Sequence, residues 1–483
     1  MPLGRTWQIV AGSAAIGLAV AAGAVAAAGP WESGQRTAER SFAVARDRQM
    51  DLAAHPVQAV RPVPQPPAAA PVLVPVPFPA PTHAAGTGTA TAPAAGNGAG
   101  NAAGDTPGNA PTPALSGRLD PLMAAPGLGT VRTGAVVDVA TGRLLYDHRA
   151  TTVSTPASTT KLATAVAALG ALGPDHRLTT DVVTTASGRI VLVGGGDPTL
   201  QLDGLATDTA KALKARGETT VTLGYDTSFF AAPALHPIGR NDNLAPVTAL
   251  MVREGRLDRS GSGPAPRAED PAAAAADSFE ALLGKRGITV KGEPAPGRGA
   301  GGTQLAVHQS AALSDLVEQM LTNSDNDLAE ALARQAARAA GLPANFAGGA
   351  KAIRAALVRY GVPLDGADFN DGSGLDHADR LAPVTLARIL ALAASPAHPE
   401  LRAIVTGLPV AAFTGTLSAR FHASPGAGVV HAKTGTLTGT NTIAGTTVTA
   451  GGRLLTFSFM TQDAPDATAA QTALDALAAA LTR

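Results

Sequence analysis

The stretch Ser154–Ala165, STPASTTKLATA, places Lys161 three residues after Ser158. Lysine is scarce in this chain, with 7 among 37 basic residues, so arginine supplies most of the positive charge. A position that keeps lysine invites the question of what arginine could not do there. Proline and alanine precede Ser158, and an apolar helical run follows it, which puts the serine in the first turn of a helix. Unpaired backbone N–H groups and the positive end of the helix dipole gather at that turn. Lys161 shares a face with Ser158 at this spacing. A serine hydroxyl becomes a nucleophile when a base takes its proton. A buried lysine can serve as that base, whereas arginine does not lose its proton in proteins. An N-cap serine and a surface lysine would give the same short match, so the motif needs support from elsewhere. None of the other lysines has a serine three residues before it.

Two further clusters supply that support. Ser324-Asp325-Asn326, the only Ser-x-Asn in the chain, interrupts two apolar helical stripes, Leu313/Leu316/Met320 and Leu328/Ala331/Leu332. Helix formers surround a group that prefers caps and turns, and such local conflict is often where function sits. Ser324 could pass a proton to a leaving amine, and Asn326 could hydrogen-bond a substrate amide or Lys161. HAKTGTLTG, His431–Gly439, then offers a cation at Lys433, a hydroxyl at Thr434 and a glycine at Gly435 that lets a ligand approach the backbone. Those are the parts needed to hold a carboxylate. The order SxxK, SxN, KTG is the motif set of penicillin-binding proteins and class A β-lactamases, with the first serine as nucleophile.

From about Leu115 to Arg483 the chain resembles the low-molecular-weight penicillin-binding proteins of the D-alanyl-D-alanine carboxypeptidase/endopeptidase family S13. GGGDPTL, GYDTSFF, NDNLAPVTALMVREGRL, DGSGLD and LPVAAFTGTLSARF carry the likeness alongside the three motifs. The resemblance implies an α/β fold of β-lactamase/transpeptidase type: a mixed α/β sandwich sheet plus a helical subdomain, with strand-rich material inserted between the first two motifs. It implies Ser158 as nucleophile, Lys161 as general base, Ser324 and Asn326 as the second motif, and Lys433, Thr434 and Gly435 as the third. It also implies an oxyanion hole from the N–H groups of Ser158 and Thr436, with the Thr436 hydroxyl helping to bind a terminal carboxylate. The implied reaction is hydrolysis of terminal D-Ala-D-Ala bonds in peptidoglycan stem peptides through an acyl-enzyme, with β-lactams acylating the same serine. No cofactor or metal is implied. One departure follows DGSGL, where the family continues with Ser-Arg and an Asn; here the chain reads Asp376-His377.

The pattern along the chain agrees with this layout. TGAVVDVATGRLLYDH reads as a hairpin turning at Thr141-Gly142, and NTIAGTTVTAGGRLLTFSFMTQD as another around Gly451-Gly452. Leu162, Val166 and Leu169 mark a helix after Ser158 that closes near Gly170 and Gly173, and Leu474, Leu477 and Leu481 mark a last helix. We expect a catalytic domain over residues 115–177 and 306–483 and inserted material over 178–305. Residues 31–114, rich in Pro, Ala and Gly, read as a linker. Ile9–Ala28 carries no charge and suits either a membrane anchor or a signal peptide, within residues 1–30; both export the rest.

Composition excludes other chemistries. With 37 basic and 37 acidic residues the net charge is zero, which gives no attraction for nucleic acid, and aromatics at 3% leave little to stack bases on. No cysteine is present, and no two of the ten histidines stand three or four apart. Two alternatives remain on the same motifs. A serine β-lactamase or esterase would need an efficient base for deacylation; Glu330 is the best-placed acid by sequence, but its amphipathic helix makes it a surface residue. A non-catalytic cell-wall-binding scaffold would suit the linker but not the intact Ser158, Lys161 and Lys433.

Overall fold

The computed structural model describes residues 113–483. The expectations for residues 1–30 and for the linker lie outside these residues, apart from Pro113 and Ala114, which open the first helix. Among the described residues no helix is long and apolar enough to cross a membrane.

The described residues begin with α1 (Pro113–Met123), the hairpin β1 (Val131–Asp138) and β2 (Leu144–His148), and a 3₁₀ turn Ala157–Thr160 that runs into α2 (Lys161–Leu172). The middle stretch supplies β3 (Arg177–Ala186), β4 (Arg189–Val193), α3 (Leu202–Ala215), β5 (Thr220–Asp226), α4 (Pro271–Lys285), β6 (Thr289–Val290), β7 (Ala295–Pro296) and β8 (Thr303–Ala312). Helices α5 (Leu313–Asn323), α6 (Asn326–Ala339), α7 (Phe346–Arg359), α8 (Pro383–Ala394) and the short α9 (Ala403–Thr406) follow. The chain closes with β9 (His431–Leu437), β10 (Thr440–Val448), β11 (Leu454–Gln462) and α10 (Ala467–Ala480).

Both expected hairpins form, and they join into one antiparallel sheet in the order β2-β1-β11-β10-β9. The first and last of the described strands meet in its middle, with β1 paired to β11 from Val131↔Gln462 to Asp138↔Leu455. Alternation on the pleat sends successive apolar residues to opposite faces. Val136, Phe457 and Phe459 pack with Leu119 of α1 and Leu474 of α10 on one side. Ala135 and Val137 pack with Ala387 of α8 on the other. Full burial of each large apolar side chain contributes roughly 1.5–3 kcal/mol.

The face under α8 continues into a helical cluster. Leu162, Val166 and Leu169 of α2 meet Leu316 and Met320 of α5 and Leu328 and Leu332 of α6. Helix α2 runs through Gly170 and ends at Gly173, whose φ of 84° suits only glycine. The middle stretch builds a second sheet, β6-β5-β4-β3-β8, with β7 also on β5. Strands β4 and β5 are parallel, so the chain between them must cross over, and α3 makes that crossing. Sequence reading did not anticipate α3, although Leu202, Leu205, Ala206, Ala210 and Leu213 form its buried stripe.

Candidate active site

The site begins with a strained turn. Ala157 has a φ of 49°, a left-handed conformation that costs an alanine about 1–2 kcal/mol. The surroundings hold it there. The Pro156 carbonyl accepts from Thr159 Oγ1 at 2.7 Å and from Thr442 Oγ1 of β10 at 2.9 Å. Gly435 of β9 lies so close that a Cβ would stand 2.7 Å from the Pro156 oxygen and 2.2 Å from Thr442 Oγ1. The glycine of the third motif thus lets its strand pack directly against the turn that carries Ser158.

Lys161 is fully buried one helical turn below Ser158. Its Nζ lies 3.0 Å from Ser158 Oγ, 2.7 Å from Asn326 Oδ1 and 2.7 Å from the Ser373 carbonyl oxygen. The last two partners can only accept. A neutral amine would give them its two hydrogens and leave its lone pair to Ser158, the one partner with a proton to donate. Burial pushes the Lys161 pKa down to about 8, against the upward pull of Asp371 and the other nearby carboxylates. The geometry and the lowered pKa both suit a base.

The SxN motif lies between two helices. Ser324 ends α5 in a left-handed conformation, φ 59°, and Asp325 caps α6 by accepting from the Leu328 N–H at 2.9 Å. Ser324 Oγ accepts from Lys433 Nζ at 2.9 Å, and the Thr434 carbonyl accepts from the same nitrogen at 2.7 Å. Lys433 is completely buried; burial first and the Lys161 charge second hold its pKa well below the lysine range. Strand β9 is an edge of its sheet. The Ala432 N–H turns outward to the Pro409 carbonyl at 2.9 Å, so at a two-residue period the Thr434 and Thr436 N–H groups face outward too. Thr434 Oγ1 donates to Thr416 Oγ1 at 2.8 Å.

Ser158, Ser324, Asn326, Thr434 and Thr436 line one cavity of about 440 Å³, with Lys161 and Lys433 beneath it and Gly435 behind the serine turn. Sequence reasoning missed several other participants. Asn243 accepts from Asn326 Nδ2 through its carbonyl at 3.0 Å, and Arg256, Arg267, Thr416, Arg420 and Gln471 complete the wall. Asp371 and Ser373 of DGSGLD present the carbonyl that Lys161 binds. Leu375 of that segment reaches the cavity, whereas Asp376 accepts from the Ala378 N–H and His377 is exposed.

Glu330 is corrected. It is not a surface residue but fully buried, because α6 is covered on nearly every side. Its Oε1 accepts the N–H groups of Gly372 at 3.0 Å and Ser373 at 2.9 Å, and its Oε2 pairs with Arg334 at 3.0 Å. The i,i+4 spacing to Arg334 looks the same in sequence as an exposed pair. His431 lies in β9, as a strand residue.

Among the described residues two groupings bring three potential metal ligands together: His236, Glu330 and Asp371, and Glu254, Asp325 and Asp327. In the first, Arg334 and backbone N–H groups already hold the oxygens. In the second, Arg256 lies 2.7 Å from Glu254 and Arg267 lies 3.1 Å from Asp327. Burial raises Asp327 to about 7, and burial with the neighbouring Glu254 carboxylate raises Asp325 well above the carboxylate range.

The D-Ala-D-Ala carboxypeptidase 3 (S13) family signature matches residues 115–266 and 258–481. The chain belongs to this family. A relative from Mycolicibacterium smegmatis, carboxypeptidase DacB, is 37% identical over 396 residues, covering 77% of this chain and 85% of the relative. The D-alanyl-D-alanine carboxypeptidase of an Actinomadura species is 29% identical over 416 residues, covering 68% and 77%. Among solved structures, penicillin binding protein 4 (dacB) of Haemophilus influenzae matches with a TM-score of 0.64 at 23% identity, covering 75% of this chain and 97% of that one. The same protein complexed with a β-lactam matches at 0.62. These two matches establish a shared fold of penicillin-binding type.

Proposed function

We propose that this S13 family member hydrolyses the terminal D-Ala-D-Ala bond of peptidoglycan stem peptides, with Ser158 as the nucleophile. Ser158 Oγ attacks the carbonyl carbon of the penultimate residue while its proton passes to Lys161 Nζ. The N–H groups of Ser158 and Thr436 receive the developing oxyanion, the kind of preorganised contact that dominates acyl transfer. As the C–N bond breaks, the proton held by Lys161 passes by way of Ser324 Oγ, which Lys433 supports, to the leaving amine, and Lys161 is neutral again. Water then attacks the ester carbonyl, its proton passes to Lys161, and Lys161 returns that proton to Ser158 Oγ as the ester C–O bond breaks. Lys433, Thr434 and Thr436 hold the substrate's terminal carboxylate, and an arriving anion offsets the burial that disfavours the Lys433 charge. A β-lactam enters the same route and stops at the acyl-enzyme. Endopeptidase cleavage of cross-links uses the same steps.

The observation that carries this reading is the amine of Lys161, 3.0 Å from Ser158 Oγ with its other two partners acceptors only. Glu330 does not serve as a deacylating base, since both its oxygens are held. The substrate class places the work outside the cytoplasm, and the uncharged Ile9–Ala28 stretch supports export, with an anchor as the proposed attachment. Mass spectrometry after penicillin exposure tests the site. We expect one adduct on Ser158, absent in Ser158→Ala; an adduct that persists in the variant overturns the assignment.

A further inference from the structure

We propose that His236, which belongs to none of the three motifs and lies 78 residues from the nearest catalytic serine in sequence, is a positioning residue for Lys161, acting through Asp371 and the Ser373 carbonyl. The inference rests on the reading of Lys161 as the base.

The Ser373 carbonyl is one of the two acceptors that fix the Lys161 amine, and its direction depends on a tight loop. Asp371 ties that loop together. Its Oδ1 accepts from the Gly374 N–H at 2.7 Å, and its Oδ2 accepts from Ser373 Oγ at 3.0 Å and from the N–H groups of Leu375 and Asp376, both at 2.9 Å. Gly374 adopts a φ of 80°, and a Cβ there would stand 2.0 Å from the Ala157 carbonyl oxygen, so the loop is pressed against the turn of Ser158. All of these donors come from the loop itself. A carboxylate bound only by its own loop fixes the loop's shape but not its orientation in the molecule.

Orientation comes from side chains outside the loop, one of them Thr164 of α2, whose Oγ1 donates to the Gly372 carbonyl at 2.6 Å. Glu330 of α6 holds the Gly372 and Ser373 N–H groups, and His236, from the segment between β5 and α4, holds Asp371 itself. The His236 Nε2 is 2.9 Å from Asp371 Oδ2, and both side chains are 1% exposed. The Ile238 N–H donates to His236 Nδ1 at 3.2 Å, which assigns the ring proton to Nε2, pointed at Asp371. Phe346 of α7 stands edge-on to the imidazole at 5.2 Å, and the Arg334 guanidinium covers that phenyl ring at 4.2 Å. The ring is therefore gripped by packing as well as by hydrogen bonds. The charged and titratable groups facing Asp371 are His236, Glu330 and Asp379, with Arg334 beyond Glu330 and Lys161 across the Ser373 carbonyl.

The consequence reaches the amine in two ways. Without the His236 donor, Asp371 and the Ser373 carbonyl lose an anchor, and Nζ is less well aimed at Ser158 Oγ. Loosening also moves an acceptor and a carboxylate away from Nζ, and both favour the protonated form where they stand. The acylation profile should thus fall in height and shift its acid limb to lower pH. A purely structural tether would reduce the amount of folded protein and leave the limb unmoved.

The test measures acylation of Ser158 by a fluorescent penicillin from pH 6 to 9, normalised to folded protein, in wild type, His236→Phe, His236→Gln and Lys161→Met. We expect His236→Phe to acylate about 10-fold more slowly, short of the roughly 100-fold that a 1 Å misplacement can cost, with its acid limb at lower pH. His236→Gln, whose amide nitrogen reaches the place of Nε2, should recover most of the rate. Wild-type rate and limb in His236→Phe overturn the inference even if its melting temperature falls. Should that variant not fold, His236→Asn, whose amide is too short to reach Asp371, carries the same comparison with the same two outcomes. Lys161→Met acylating as fast as wild type would instead sink the reading of the base, a result independent of the His236 series.

Discussion

The sharpest expectation concerns how acylation depends on pH. In the proposed reaction Lys161 accepts the Ser158 proton only as a neutral amine, and its pKa of about 8 sets how often it is neutral. About 1% of the protein is then competent at pH 6, about 10% at pH 7 and about 90% at pH 9. The second-order rate constant for acylation by a penicillin should climb roughly 90-fold across that range and level off above pH 9, with its midpoint near 8. An ordinary lysine, titrating near 10.4, would give a rise of roughly 1,000-fold with no levelling. The level and the midpoint therefore distinguish a desolvated amine from a solvated one. In Lys161→Met the proposed base is gone, and a loss of about 10²–10⁴ in rate is expected, the usual contribution of general-base catalysis, with a flat profile. Stopped-flow fluorescence with a labelled penicillin measures both, and thermal melts check that each variant is folded. A wild-type profile flat from pH 6 to 9, or a Lys161→Met variant within 10-fold of wild type, would refute the reasoning.

Two further expectations follow from the same contacts. Gly435→Ala would drive a Cβ to 2.7 Å from the Pro156 carbonyl oxygen and 2.2 Å from Thr442 Oγ1. The serine turn must give way, and we expect acylation to fall about 100-fold with a stability loss of about 1–3 kcal/mol, read by penicillin labelling and urea unfolding. Asp379 is buried beside Asp371, and burial first and that second carboxylate next push its pKa up to about 9. Folding then holds a proton that the unfolded chain releases above about pH 4, so this carboxyl group loses stabilising effect as pH rises. Asp379→Asn keeps the shape without the proton, and its melting temperature should exceed that of wild type at pH 8 by a margin that shrinks towards pH 5. An equal margin at both pH values would contradict the assignment.

The three motifs that the structure brings to one cavity were legible in the sequence, and distant pairing was not. Ser158 and Lys161 lie one helical turn apart, and Ser324 with Asn326 and Lys433 with Gly435 are similarly compact, so residue type and spacing carried their message. The hairpins showed themselves through alternation and through the turns at Gly142 and Gly452. Nothing in either hairpin announced that β1 would lie beside β11, because register between strands so far apart is set only when both apolar faces are buried together. Glu330, Asp371 and His236 were hidden for a related reason. A buried carboxylate is tolerated when backbone N–H groups and cations surround it, and those partners come from distant segments that sequence inspection does not bring together. Arg334 at four residues from Glu330 was visible, but only burial tells a core pair from a surface one.

The segment between β3 and β8 is no detachable ornament. Its Asn243 carbonyl takes the amide of Asn326, its Ala245 N–H and Arg267 hold Asp327, its Gly195 carbonyl takes Gln335, and its His236 holds Asp371. Splicing it out to leave a shorter enzyme would strand two buried carboxylates and two side-chain amides in and around the reaction chamber. Any attempt to shrink this protein must therefore redesign the surroundings of Asn326 and of the Asp371 loop, and domain-shuffling at these boundaries would fail even though both ends of the cut lie on strands.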